Sequence, residues 1–267
     1  MTFSGVLKKM RTAYQSPVQY FLDFDTDFIH LNQVLKKTLT ITFKHFQCLG
    51  CGETLPVYRH GHCKSCFFEL PQTAEWVIRP ELSKAHLDIE DRNLDYEREV
   101  QLQPHVVYLA NSGKVKVGVT RQSQIPTRWI DQGAHEALEI VVVPNRYLAG
   151  ITEVALKEHI SDKTNWRQML RNHVEDEDLI AKRNQLKAFI PEAVKPYVLE
   201  HQQETLIEFP VLQYPEKFKS LNLDKQPQFT GKLMGIKGQY LIFDNQMVFN
   251  VRNHEGYVVD ITIESAG

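Results

Sequence analysis

The run His105-Val-Val-Tyr-Leu-Ala-Asn-Ser-Gly-Lys-Val-Lys-Val-Gly-Val-Thr120 decides the fold of the middle of this chain. Two alternating runs, Val106–Ala110 and Lys114–Thr120, flank Asn111-Ser112-Gly113. A three-residue loop ending in glycine marks a hairpin with a bulge-type turn, in which Gly113 takes the left-handed position. Pairing Ala110 with Lys114 sets Leu109 opposite Val115 and Tyr108 opposite Lys116, so Tyr108 and Lys116 share one face. Downstream, Pro126 suits a first helical turn and Gly133 a stop, which predicts a short helix over residues 126–132 carrying Arg128. Leu138 to Val143 reads as a buried strand ended by Pro144-Asn145, and Ile151 to Ile160 as a helix carrying Glu153. Thr164 is a cap for a helix over residues 165–170 that opens on Asn165, and Asp176 to Ile190 forms another helix stopped at Pro191.

Upstream lie all four cysteines of the chain, as two Cys-x-x-Cys pairs, Cys48/Cys51 and Cys63/Cys66. Such a pair aims two sulfurs at one point, and two pairs supply the tetrahedral thiolate shell of a structural zinc ion. Two disulfides and a redox dithiol are the rival readings, the latter needing only one pair. A closed four-sulfur shell leaves no open coordination position, so any chemistry belongs elsewhere.

Around these landmarks the chain divides into four parts. Residues 1–80 read as a β-meander, with alternating runs at Val18–Phe24 and Leu39–Phe43, leading into a zinc ribbon. Residues 81–104 hold seven acids and three bases without strong periodicity and read as an acidic connector. Residues 105–200 form the central domain. Residues 201–267 turn β-rich, at Thr205–Tyr214, Gly231–Phe243, Met247–Val251 and Tyr257–Ile263, and suggest a small barrel-like module. The expected class is α+β.

Composition is that of an ordinary globular protein, with 42% hydrophobic and 24% charged residues over 267 positions. No apolar run reaches membrane-span length and the first residues lack a signal-peptide pattern, so a cytoplasmic location with reduced, zinc-compatible thiols is expected. The net charge of −2 excludes a protein that coats nucleic acid by bulk positive charge. Residues 105–135, however, carry Lys114, Lys116, Arg121 and Arg128 against Asp131 alone, so a polyanion site would be local.

The order strand, turn, strand, helix, strand, helix, helix, with Tyr108, Lys116, Arg128, Glu153 and Asn165 at element ends, resembles the GIY-YIG nuclease domain. Val106-Val-Tyr108 matches its first motif and Lys116-Val-Gly118 its second, where Lys116 stands in place of the usual second tyrosine. Arg128, Glu153 and Asn165 match its arginine, its metal-binding glutamate and its asparagine. Over residues 40–265 the chain also resembles the family called domain of unknown function 2797. That likeness rests on a Cys-x-x-Cys-Gly phrase and on His105–Gly113, Lys116–Arg121, Pro126–Ala134 and Asp162–Trp166. The first resemblance implies an α/β sandwich on a three-stranded antiparallel sheet and phosphodiester hydrolysis. Glu153 would hold Mg²⁺ or Mn²⁺, Arg128 would clamp phosphate, Tyr108 would act as a base lowered by nearby Lys116, and Asn165 would orient Glu153 or the phosphate.

Each residue also has a plain structural reading. Glu153 and Lys157 form a helical i,i+4 pair, Tyr108 is strand packing, Arg128 lies against Trp129, Lys116 is an exposed strand lysine and Asn165 caps a helix. A nuclease, a nucleic-acid-binding protein without chemistry and a protein-interaction scaffold all remain open.

Overall fold

The computed structural model describes residues 1–160 and 165–264. In chain order the strands and helices are β1 (Thr2–Val6), β2 (Arg11–Ala13), β3 (Gln19–Asp23), β4 (Phe28–His30), β5 (Thr38–Phe46), α1 (Lys64–Glu69) and α2 (Leu94–Gln101). Then come β6 (His105–Asn111), β7 (Val115–Arg121), α3 (Thr127–Asp131), β8 (Glu136–Val143), α4 (Arg146–Lys157), α5 (Trp166–Leu170), α6 (Leu179–Leu186) and β9 (Thr205–Leu206). The chain closes with β10 (Lys219–Ser220), β11 (Gln228–Lys237), β12 (Tyr240–Phe243), β13 (Met247–Asn250) and β14 (Tyr257–Ile263). The result is a mixed α+β protein with three sheets among the described residues.

Residues 1–68 and 208–267 make one compact unit and residues 69–207 a second. The first is built on a seven-stranded sheet of order β1-β14-β5-β11-β12-β13-β10, beside which β2, β3 and β4 form a small meander; the run Leu39–Phe43, expected in that meander, lies instead in β5 of the large sheet. The N-terminal part and the C-terminal β module, read from the sequence as separate, are therefore one body. β5 buries Leu39 and Ile41 on alternate positions. Its two neighbours, β14 and β11, pair with it antiparallel through Ile41↔Ile261 and Ile41↔Phe229. An alternating strand needs cover along both edges, and here the partners come from about two hundred residues away, which no local pattern announces.

The second unit carries a four-stranded antiparallel sheet, β7-β6-β8-β9, one strand wider than expected because the two-residue β9 pairs with the start of β8. Central β6 is buried at every position, including its polar ends His105 and Asn111. One face of the sheet packs Val107, Leu109, Val117 and Ile140 against Ala149 and Leu156 of α4 and Leu179 and Leu186 of α6. Helix α4 begins at Arg146, five residues before the expected start, because the Asn145 Oδ1 accepts from the Leu148 amide at 2.9 Å and caps it. What had read as a strand terminator is a helix initiator. Thr164, the expected cap of α5, lies outside the described residues, and Asn165 caps that helix itself.

The acidic stretch 81–104 is no bare connector. The buried carboxylate of Glu97 in α2 accepts from the backbone amides of Asp91, Arg92 and Asn93 at 3.0, 2.7 and 3.0 Å. Asn93 returns the favour by capping Tyr96 at 2.8 Å. These reciprocal bonds order a segment that lacks an apolar period. The 3₁₀ turn Pro80–Leu82 then packs on α4 at Gly150, where an added Cβ would stand 2.2 Å from the Glu81 nitrogen.

Candidate functional site

Two sites emerge, one in each unit. In the first, Cys48 and Cys51 follow directly from β5, and Cys63 and Cys66 sit where α1 begins. The knuckles are shaped by Gly52 and Gly61, both at positive φ (78° and 75°), and Gly61 has no room for a side chain beside Leu49. One ligand atom from each cysteine lies within 4.8 Å of the others. Four sulfurs around one zinc ion at ~2.3 Å would lie about 3.8 Å apart, so the set is of the right size for a tetrahedral metal. The Cys48 Sγ accepts from the amides of Gly50 and Cys63 at 3.3 and 3.2 Å. Desolvation pushes its thiol up, but the backbone bonds from Cys63, Cys51 and Gly50 outweigh that and bring it down to about 6. Desolvation and the sulfurs of Cys63, Cys48 and Cys51 push Cys66 the other way, to about 12. One thiolate is thus ready, while Cys51 and Cys66, both raised, need a cation before they ionise. Within residues 47–68 the buried positions are Cys48, Gly61 and Cys63, so this loop has no apolar core of its own. The four cysteines can hold a metal such as zinc, which would serve as that core.

The second site begins at Tyr108. The hairpin pairs Ala110 with Lys116, with Asn111 and Val115 closing the loop, and Gly113 takes a φ of 135°. Tyr108 therefore stands opposite Gly118, two residues from the expected partner. Lys116 is on the same face but one pair removed. Lys116 is also buried, at 4% exposure, and is not the solvated strand lysine of the plain reading. The glycine is used: the phenol lies across it, so that an added Cβ would stand 2.7 Å from the hydroxyl. Gly118→Ala should accordingly cost ~1–3 kcal/mol by overpacking, read as a lower denaturant midpoint at unchanged slope.

The Tyr108 hydroxyl donates to Gln132 Oε1 at 3.1 Å, and Trp129 meets its ring edge-on at 5.8 Å. Both come from α3 and the turn that ends it, and this places Arg128 at the same hydroxyl. Burial raises the phenol above its ordinary pKa, while the charge and hydrogen bond of Arg128 act against it and the Glu153 carboxylate adds to it. The net direction corrects the expectation of a lowered tyrosine: fully buried, Tyr108 keeps its proton at neutral pH.

Arg146, at the start of α4, was not foreseen. Its Nε and Nη2 donate to the carbonyls of Trp76 and Val77 at 3.1 and 2.6 Å, and its guanidinium lies 5.7 Å from the Trp76 ring centre. Burial lowers it to about 10, so it stays cationic at neutral pH. Glu153 and Glu81 support its charge and Arg121 and Arg128 oppose it. Three arginines thus act on one another across two carboxylates, an arrangement with an excess of positive charge. The excess of bases in residues 105–135 hinted at Arg121 and Arg128, but only the fold brings Arg146 and Glu81 to them.

Glu153 keeps the i,i+4 relation to Lys157, with Nζ–Oε2 at 3.9 Å, and is itself mostly buried. Among the described residues the one cluster of three or more metal-ligating side chains is the cysteine set, so Glu153 belongs to no such cluster. Asn165 is taken up as a cap, its Oδ1 accepting from Arg167 and Gln168 at 3.2 and 3.3 Å. The structure thus gathers Tyr108, Arg128 and Glu153, keeps Lys116 buried on the sheet face of Tyr108, and takes up Asn165 as a helix cap.

What fold and centre define is a mixed α+β protein with a four-cysteine module able to bind metal. A protein-family model, "Protein of unknown function (DUF2797)", matches residues 36–259, and the chain belongs to that family. No curated protein and no solved structure matches it. No described helix is long and apolar enough to cross a membrane.

Proposed function

We propose that the central unit binds nucleic-acid phosphodiesters at a GIY-YIG-like site and hydrolyses them, and that the cysteine centre is a structural zinc site. The observation that carries the first reading is the meeting of Tyr108, Arg128 and Glu153, with Arg146 and Arg121 in the same field. In hydrolysis a water oxygen attacks phosphorus, charge builds on the phosphate oxygens, and the P–O bond to the leaving sugar oxygen breaks as that oxygen takes a proton. Arg128 and Arg146 meet the building charge, the former as a planar fork suited to two phosphate oxygens. Protonated Tyr108 holds Arg128 in place instead of acting as a base. Glu153 would hold Mg²⁺ or Mn²⁺; bound there, such an ion supplies Lewis acidity and a more acidic water.

The test is a nicking and cleavage assay on DNA and RNA with Mg²⁺ or Mn²⁺. Glu153→Gln and Arg128→Gln should each lower the rate about 100-fold or more, in line with the loss of one preorganised charge at a transition state. Wild-type cleavage no faster than that of Glu153→Gln removes the enzymatic reading. A second reading is favoured by Lys116 at the second tyrosine position and by the raised Tyr108 pKa: a nucleic-acid-binding protein without chemistry. It requires salt-dependent binding that survives Glu153→Gln and weakens in Arg128→Gln.

A further inference from the structure

The cysteine module carries three contiguous aromatic rings on its outside. Tyr58 and Phe68 are 43% and 53% exposed, and Phe67 lies between them. The ring centroids are 5.3 Å apart for Tyr58–Phe67, 5.7 Å for Tyr58–Phe68 and 5.3 Å for Phe67–Phe68. The Arg59 guanidinium sits 5.4 Å from the Tyr58 ring and 6.0 Å from that of Phe67, and His60 stacks on Phe67 at 6.1 Å. His60 itself is held at φ 51°, a backbone region that a non-glycine residue seldom takes. Burial lowers the pKa of its ring, Arg252, His62 and Arg59 act in the same direction, and Glu255 acts against them.

Exposed rings in contact with one another are an unusual use of apolar surface, since burial of each would be favourable. Their chemistry selects the occupant. Nucleobases stack on Tyr and Phe faces and on guanidinium planes. In a duplex those faces are already stacked on one another and closed to a protein. The cations beside the rings are few, and Glu53 and Glu69 offset Arg59 and Lys64 within the same stretch. Phosphate attraction is therefore small and stacking dominates. We infer that Tyr58, Phe67, Phe68 and Arg59 form a stacking platform for unpaired nucleobases of single-stranded nucleic acid. This deepens the proposed function by assigning the form of the strand, and it rests on nucleic acid being the ligand.

The experiment uses the full-length, metal-loaded protein and fluorescence anisotropy with labelled single strands of DNA and of RNA of about 20 nucleotides, each also annealed into a duplex. The double variant Tyr58→Ala/Phe68→Ala should weaken single-strand affinity about tenfold or more and change duplex affinity less than about twofold. Phe68→Trp should retain single-strand binding. Arg59→Gln should reduce the slope of log affinity against log salt by about one. Metal content and unfolding temperature equal to wild type establish that the variants fold; Tyr58→Ala alone replaces the double variant if it does not. The inference is overturned if the ring variants bind single strands as wild type does, if they lose duplex binding equally, or if the wild type binds no strand. The two readings fail separately. Ring-dependent binding without cleavage removes only the hydrolase, and Glu153-dependent cleavage by ring variants with unchanged affinity removes only the platform.

Discussion

Removing metal from the cysteine centre, by a strong chelator or by Cys48→Ala, is expected to unfold the segment between β5 and α1 and to leave the protein with four titratable thiols. The expected effect is the largest for any single change in this chain. Residues 47–68 contain one short helical turn at their end, one antiparallel bridge between Arg59 and His62, and otherwise turns and irregular backbone. Their long-range order rests on a few main-chain bonds, such as Leu49 N to Gly61 O at 2.8 Å and Gln47 N to Gly256 O at 2.8 Å. Structural zinc in small peptides contributes on the order of 10–16 kcal/mol at neutral pH, more than the whole stability of most domains. Cys48 is the most telling ligand to change, because its sulfur also accepts two backbone amides that alanine would leave unpaired. The measurements are metal stoichiometry by atomic emission and proteolysis across residues 47–68. A Cys48→Ala protein that keeps its metal and resists protease would show that the four sulfurs are not a metal centre.

Second in size is Gly150→Ala on α4. In most helices this exchange stabilises by up to about 1 kcal/mol, because alanine is the better helix former. Here the added methyl carbon would stand 2.2 Å from the Glu81 nitrogen, 2.4 Å from the Pro80 carbonyl carbon and 2.7 Å from the Glu81 Cα. All three are backbone atoms, so relief requires the Pro80–Leu82 turn to lift off the helix. The turn carries Glu81, and the preceding one supplies the carbonyls that bind Arg146. A loss of about 3 kcal/mol is expected, a fall in unfolding temperature on the order of 10 °C, with cleavage or phosphate binding reduced in parallel. Val154→Ala, at an exposed position of the same helix, should move stability by no more than about 0.5 kcal/mol. Equal unfolding temperatures for the Gly150 and Val154 variants would mean that the turn does not pack on the helix as described.

Much of the central unit was legible locally. The hairpin, the short α3 between Pro126 and Gly133, and the buried strand over residues 138–143 all follow from turn chemistry and period, which act between near neighbours. The hairpin register differs by two residues from the local reading, because the three-residue loop is Ser112–Lys114 and not Asn111–Gly113: Asn111 stays in β6 opposite Val115, its Oδ1 accepting from the Gly113 amide at 3.2 Å. The stretch 81–104 was unreadable by period because its order comes from one buried carboxylate gripping three amides, a tertiary use of a residue that counts locally as surface.

By itself, then, the amino-acid order determined the four-cysteine set, whose two Cys-x-x-Cys pairs carry the spacing of a metal shell, and it determined the hairpin and helices that place Tyr108, Arg128 and Glu153. The tertiary structure alone decided that the chain's two ends share one sheet, that Tyr108 faces a glycine and stays protonated, and that Arg146 and Glu81 join the arginine cluster. The physical reason is range: turn and helix signals are written within a few residues, whereas strand partnership and the pKa of a buried group depend on whatever surface arrives from elsewhere in the chain.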